Sequence, residues 1–133
     1  MQNYPLTVDK FIDHAAVWSA NGVVQALPDG RRLQVSYGEV RDRANLMSGA
    51  LAALGLEFGE RVGTLAWNTR HHLEIYYATM GSGLVCHTLN PRLTVAQVAA
   101  MVCEAEDAAL AVASDLVPLA FELVSLCPLV RHL

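Results

Sequence analysis

Apolar residues recur along this chain with two alternating periods, and the switches fall at residues that cap helices or make turns. Thr7 is placed to cap a first helix, with Val8, Phe11, Ile12 and Ala15 at helical spacing and Asn21-Gly22 ending it. Two short β-prone runs follow, 23–27 and 32–35, joined by Pro28-Asp29-Gly30. Asp-Gly between such runs signals a hairpin, because the tight turn needs φ > 0. Ser36 and Glu39 form a capping box, which holds two helix-end N–H groups. The helix behind it sets Val40, Ala44, Met47, Leu51 and Leu54 on one stripe and Arg41, Asp42, Arg43, Asn45 and Ser48 elsewhere. Gly55 stands where a left-handed residue would close that helix.

From residue 61 the chain alternates strand and helix. A strand is expected at 61–67, then a helix capped by Asn68 or Thr69, carrying Leu73, Tyr76, Tyr77 and Met80 and stopped at Gly81 and Gly83. A second strand is expected at 84–89, and Thr94 with Gln97 is another capping box, opening a helix with Val95, Val98, Ala99 and Val102. A third strand is expected at 109–114, then a helix capped by Asp115 with Leu116, Leu119, Leu123 and Leu126, then a strand beginning at 129 after Pro128. Short apolar strands alternating with capped amphipathic helices predict an α/β fold: a hairpin beside a mostly parallel βαβ sheet with flanking helices. The organisation expected is one portion of a larger domain over 1–133, with helix, hairpin and helix in 1–55 and a βαβαβα unit in 56–133. A chain that stops in or just after a strand, without a turn or polar tail, is expected to be a cut domain.

Composition narrows the function class. The chain has 133 residues, 53% hydrophobic and 17% charged, which excludes disorder and suits a sheet buried on both faces. A formal net charge of −4 gives no electrostatic case for nucleic acid or an anionic membrane. Asp9 and Lys10 interrupt the place a signal peptide would fill. The longest uncharged stretch, 75–91, contains two glycines, His87, Asn90 and Pro91 and falls short of the roughly 20 apolar residues of a spanning helix. Cys86, Cys103 and Cys127 are odd in number and set among apolar residues, as expected of buried, reduced thiols in a cytoplasmic protein.

The chain carries no phosphate-binding loop of the G-x-x-x-x-G-K-[ST] type, no G-x-S-x-G elbow, no H-E-x-x-H and no paired-cysteine zinc spacing. Gly81-Ser82-Gly83 follows a helix and precedes a strand, the reverse of a dinucleotide fingerprint. His71 and Glu74 are three apart on a helix, so they share a face, either as a metal-binding pair or as the polar start of the helix. His87 lies in an apolar strand, as a satisfied core imidazole or as a group near a substrate tunnel or subunit contact. Asn90-Pro91-Arg92 leaves a strand; Pro91 holds Asn90 extended, Asn90 is suited to local backbone hydrogen bonds, and the charge of Arg92 requires a partner. Trp18, Trp67, Tyr76 and Tyr77 suit core packing better than ligand stacking.

A resemblance goes further than these patterns. Asp29-Gly30-Arg31 with Ser36-Tyr37-Gly38-Glu39-Val40, the run from Ala50 to Gly55, and Gly59-Glu60-Arg61-Val62 resemble the opening of adenylate-forming enzymes. Ala66-Trp67-Asn68, then His72-Leu73-Glu74 with Tyr76-Tyr77-Ala78, then Cys86-His87-Thr88-Leu89-Asn90-Pro91-Arg92-Leu93, are similar to the medium- and long-chain fatty-acid-CoA ligase branch, including relatives acting on 3-(methylthio)propionate. The chain departs from that branch at His71, where arginine is usual, and at Glu104-Ala105-Glu106-Asp107, where His-Ala-Glu-Asp is common.

The resemblance implies the N-terminal part of the large domain of an ATP-dependent ligase that activates a carboxylic acid as acyl-AMP and transfers it to CoA. It implies ATP, Mg and CoA for the full-length enzyme, with the rest of the ligase chain and a fatty acid as partners, and self-association or a homodimer. It also implies that the catalytic motifs lie beyond this chain, so no catalytic, cofactor or metal residue is assigned. Asn68, His72, Glu74, Tyr76, Tyr77, His87, Thr88, Asn90, Pro91 and Arg92 are its motif residues, expected to be structural. The competing class is a stand-alone α/β module that binds a small ligand at the C-terminal edge of its strands or docks a protein, without catalysis.

Overall fold

Strand β3 (Arg61–Leu65) is the axis of the molecule, because four of its five residues are buried and both of its edges are paired. The computed structural model describes residues 7–27 and 29–133. Ahead of β3 come α1 (Asp9–Trp18), the antiparallel pair β1 (Gly22–Ala26) and β2 (Arg32–Ser36), and α2 (Tyr37–Ala53). After it come α3 (Arg70–Gly81), β4 (Val85–Leu89), α4 (Val95–Ala105), β5 (Asp107–Val112), a 3₁₀ turn (Ser114–Leu116) and α5 (Val117–Leu126). The hairpin forms its own two-stranded sheet, and β4, β3 and β5 lie in that order, all parallel.

This order dictates where the helices go. The chain steps from β3 to β4 on one side and then back past β3 to β5, so two right-handed crossovers must lie on opposite faces of the sheet. The cores bear this out. Val62 and Ala109 pack with Ala44, Leu51, Ile75 and Ala78 from α2 and α3. Leu65, Leu89 and Leu110 pack with Val98, Ala99, Val102, Ala120 and Leu123 from α4 and α5. A third cluster of Ile12, Val35 and Val40 joins α1, the hairpin and α2.

Both capping boxes form. The Ser36 hydroxyl accepts from the Glu39 N–H while the Glu39 carboxylate accepts from the Ser36 N–H at 2.9 Å. Thr94 and Gln97 repeat the arrangement at α4. Gly55 takes φ +69°, as the end of α2 requires. Of the hairpin turn, Asp29 accepts from the Arg31 N–H at 3.0 Å and Gly30 has φ +83°, whereas Pro28 lies outside the described residues.

Several expectations need correction. Thr7 does not cap α1: Val8 holds the N-cap position without a side-chain bond, and the Thr7 side chain instead bonds Asp9. On α2, Met47 and Leu54 are each 40% exposed, because only the Val40, Ala44 and Leu51 part of the stripe faces a neighbour. The α3 stripe is turned from the expected one. Glu74, Ile75, Ala78 and Thr79 are buried and Tyr76 is exposed, because small residues let α3 approach α2 and β3 closely, while Leu73 and Tyr77 pack against the edges of the core clusters. Strand β3 stops at Leu65 and β5 starts two residues early, at Asp107. That early start depends on Glu106, which turns from α4 straight into β5 in the left-handed conformation, φ 54° and ψ 49°. Arg61 holds this turn by donating to the carbonyls of Ala105 and Glu106 and pairing with the Glu106 carboxylate at 2.8 Å. Asp115 does not cap α5; it sits in the 3₁₀ turn, and its carboxylate is engaged elsewhere. The expected final strand reduces to one parallel bridge, Ala109 with His132.

Candidate functional site at the carboxyl ends of the strands

Parallel strands release their following loops on the same side of the sheet, and that side is where open α/β sheets bind ligands. Here residues 66–69 after β3 and 90–94 after β4 meet there. They border a cavity of about 390 Å³ walled by Trp67, Asn68, His72, Thr88, Asn90 and Arg92. A neighbouring cavity of about 550 Å³ lies between the hairpin and the start of α3, with Val24, Gln25, Arg70 and Tyr76 on its wall. Asn68, His72 and Thr88 line both.

His72 is positioned by the first turn of α3, which Thr69 caps. Its Nε2 lies 3.0 Å from the Thr64 hydroxyl of β3. Burial lowers the pKa of His72, against an opposing contact with the Trp67 carbonyl, so the ring is held neutral near pH 7. Asn90 behaves as expected of a strand exit: its side-chain oxygen accepts from the Arg92 N–H at 3.0 Å. Arg92 then lies over the Trp67 ring, with 6.0 Å between its guanidinium carbon and the ring centroid.

Trp67 is the residue whose role the sequence concealed. Its indole N–H donates to Asp115 Oδ2 at 2.7 Å. This bond ties the loop after β3 to the turn after β5, at the point where successive connections leave the sheet in opposite directions. Aromatic spacing alone would have put the ring in the core; 38% exposed, it instead forms a wall with Arg92 on one side and Asp115 at its polar edge.

The other singled-out residues are brought to different places. Glu74 is buried, with Oε1 2.9 Å from Arg43 Nε and Oε2 3.2 Å from His71 Nδ1. The Arg43 contact is an ion pair without hydrogen-bond alignment, since Oε1 lacks a directed partner. Tyr77 bridges the second and third core clusters. His87 turns to the α4 side, where Nδ1 lies 2.8 Å from Asp107 Oδ2. The imidazole and the carboxylate meet over Gly63 of β3, which faces His87 in register; a Cβ there would stand 2.8 Å from Asp107 Oδ2 and 2.5 Å from Leu110. Asp107 is fully buried, and burial raises its pKa while the His87 bond pulls the other way.

Among the described residues no three histidine, cysteine, aspartate or glutamate side chains are grouped to hold a metal ion. The His71–Glu74 pair stands at the start of α3 beside Arg43, whose guanidinium pairs with the same carboxylate. No described helix is long and apolar enough to cross a membrane.

The chain is similar to known proteins in sequence and in fold. The chain is 42% identical, over 90% of its length, to a 3-methylmercaptopropionyl-CoA ligase of Ruegeria lacuscaerulensis, and covers 22% of that protein. It is 35% identical, over 98% of its length, to a medium-chain-fatty-acid–CoA ligase of Ectopseudomonas oleovorans, of which it covers 24%. In fold it is similar to fatty acyl-adenylate ligases from E. coli and L. pneumophila (TM-score 0.86, 23% identity, 98% of this chain and 25% of the other). It is also similar to an anthranilate CoA ligase in complex with anthranoyl-AMP (TM-score 0.81, 22% identity, 99% of this chain and 26% of the other). The chain thus spans about a quarter of the length of these relatives. Residues 7–130 match the AMP-binding enzyme family, and the chain belongs to it, corresponding to the N-terminal portion of its acyl-CoA ligases.

Proposed function

We propose that this chain is the N-terminal scaffold of an ATP-dependent acid–thiol ligase, cytoplasmic and self-associating, that converts a fatty acid to acyl-AMP and then to acyl-CoA. The observation that carries the reading is 35–42% identity over 90–98% of the chain to CoA ligases acting on aliphatic acids. In this reading residues 1–133 are one part of the AMP-binding domain, and the motif residues Asn68, His72, Tyr76, Thr88, Asn90, Pro91 and Arg92 shape its strand-edge cavities without entering the chemistry. Asn68, His72 and Thr88 hold the shared wall, Trp67 and Arg92 stiffen it, and the uncharged His72 leaves an apolar acid chain undisturbed.

Adenylyl transfer from ATP to a carboxylate, with release of pyrophosphate, requires preorganised donors at the α-phosphate, and losing one such donor typically costs about 100- to 1,000-fold in rate. The 133-residue chain has one lysine, Lys10, placed on α1, and no glycine-rich anion loop. The expected result is therefore neither ATP binding by calorimetry nor acid-dependent pyrophosphate–ATP exchange with octanoate, from a chain that light scattering finds self-associated. Exchange is expected from a polypeptide in which this sequence continues through the ligase fold. Exchange by the 133-residue chain itself, with contaminating ligase excluded, would overturn the scaffold reading. A continued chain that binds an acid but never exchanges pyrophosphate would favour the binding module.

A further inference from the structure

Two of the three cysteines, 24 residues apart in sequence, meet on the face of the sheet away from the cavities. Cys103 stands in the last turns of α4 and is exposed; Cys127 closes α5 and is 1% exposed. Their sulfurs are 2.9 Å apart. Cys127 Sγ also lies 3.4 Å from the Ala99 carbonyl, one turn before Cys103, and Cys103 Sγ lies 3.6 Å from the Leu126 carbonyl. Each sulfur is thus aimed at the other helix. The helices are fixed in this relation by Val98, Val102, Ala120 and Leu123, all buried in one cluster. A cysteine used only as a small core residue does not need a second sulfur against it, and an exposed one contributes little to a core.

We propose that Cys103 and Cys127 form a dithiol modification site that closes to an intramolecular disulfide by exchange with a low-molecular-weight disulfide. The exposed Cys103, as thiolate, attacks one sulfur of the reagent; the reagent's S–S bond breaks, a mixed disulfide forms on Cys103, and one reagent thiolate leaves. Cys127, as thiolate, then attacks the Cys103 sulfur, forming the Cys103–Cys127 bond and expelling the second reagent thiolate. Both protein thiol protons are taken up by the two released thiolates, and the reagent is the electron acceptor. Burial, with the neighbouring Cys103 thiol, pushes Cys127 up to about 12, so it does not start the reaction. It is the resolving group because its sulfur is already 2.9 Å from that of Cys103, and the bond forms as the two close to about 2.05 Å with a near-perpendicular torsion. Cys86 is not a competitor: it lies on β4, where its thiol meets Thr64 on the α2–α3 side. The bond would tie α4 to the segment whose Arg131 N–H and His132 carbonyl pair with β5.

The test is incubation of the 133-residue chain with oxidised glutathione, acid quenching and intact mass. The wild type should lose two hydrogens, retain no glutathione, and drop from three titratable thiols to one under denaturing conditions. Cleavage after Arg92, Glu104 and Glu122 should leave the Cys103 and Cys127 peptides joined and Cys86 in a separate peptide. Cys127→Ser should stop at one glutathione on Cys103, and Cys103→Ser should leave Cys127 unmodified while folded. Should Cys127→Ser not fold, Cys86→Ser, which keeps the pair, and Cys103→Ser, at an exposed position, carry the comparison. Glutathione retained on wild-type Cys103 as the end product, a Cys86 crosslink, or a bond between two chains would overturn the proposal.

Discussion

The two faces of β3 solve different problems with neighbouring residues. On the α2–α3 side, Thr64 is fully buried and polar, and its hydroxyl begins a hydrogen-bonded path through His72 to the wall of both cavities. On the α4–α5 side, Leu65 is fully buried among apolar residues, and one polar bridge, His87 to Asp107, crosses over Gly63. Polar groups on the first face lead outward to where a ligand would sit. On the second face they are sealed in near the start of β5. Buried polar groups persist where they are paired, and the pairing partner decides whether they serve a surface or a core.

The sharpest way to break the sealed face is at its glycine. Gly63→Val would place carbon within 2.8 Å of the Asp107 carboxylate and 2.5 Å of Leu110. Overpacking costs about 1–3 kcal/mol, and a loss near the upper end, about 3 kcal/mol, is expected in urea denaturation because two side chains must give way at once. A loss below about 1 kcal/mol would mean that the two side chains do not meet over this position.

The faces are compared directly by neighbouring substitutions. Leu65→Ala is expected to cost about 3 kcal/mol through the cavity it leaves. Thr64→Val keeps the shape and should cost about 1–2 kcal/mol through the unpaired His72 nitrogen. The second variant should also raise solvent access at the cavity wall, read as faster hydrogen exchange in the first turn of α3, which Leu65→Ala should leave slower. Equal exchange in both would remove the functional distinction between the faces.

The smallest effect is a pH dependence. Burial raises the carboxyl of Asp107 above its ordinary value of 3.8, so the folded chain binds a proton that the unfolded chain has released. That contribution is present below pH 3.8 and is lost as pH rises through the folded value. The stability of wild type relative to Asp107→Asn should therefore fall with rising pH over that window in acid-to-neutral denaturant titrations. The facing charged groups, His87 and Arg61, oppose the effect. A difference that grows with pH would mean that the His87 bond outweighs burial.

Much of this molecule was legible residue by residue, for a consistent reason. Ser36 with Glu39, Thr94 with Gln97, and Gly55 act within one helical turn, so their hydrogen bonds and backbone angles depend on near neighbours alone. The same holds for Asn90, whose partner is two residues away. The parallel sheet was legible because each strand–helix unit repeats that local grammar. The run from Asn68 to Arg92 was recognisable as a family pattern, but its spatial division was not.

By itself, then, the sequence determined the α/β class, the order of the elements, most helix starts, and membership of a recognisable ligase family. Tertiary structure alone decided which face of α3 is buried, that Glu106 turns left-handed under Arg61, that Asp115 serves Trp67 rather than a helix end, and that His72 and His87 face opposite sides of one sheet. It also decided that Cys103 and Cys127 touch. Apart from the Thr64–His72 contact, eight positions apart, those outcomes join residues 20 to 48 positions apart, and they follow from the β4-β3-β5 strand order, which no local spacing encodes. Local rules act through a turn or two of backbone; these contacts exist only once the crossovers have placed the strands side by side.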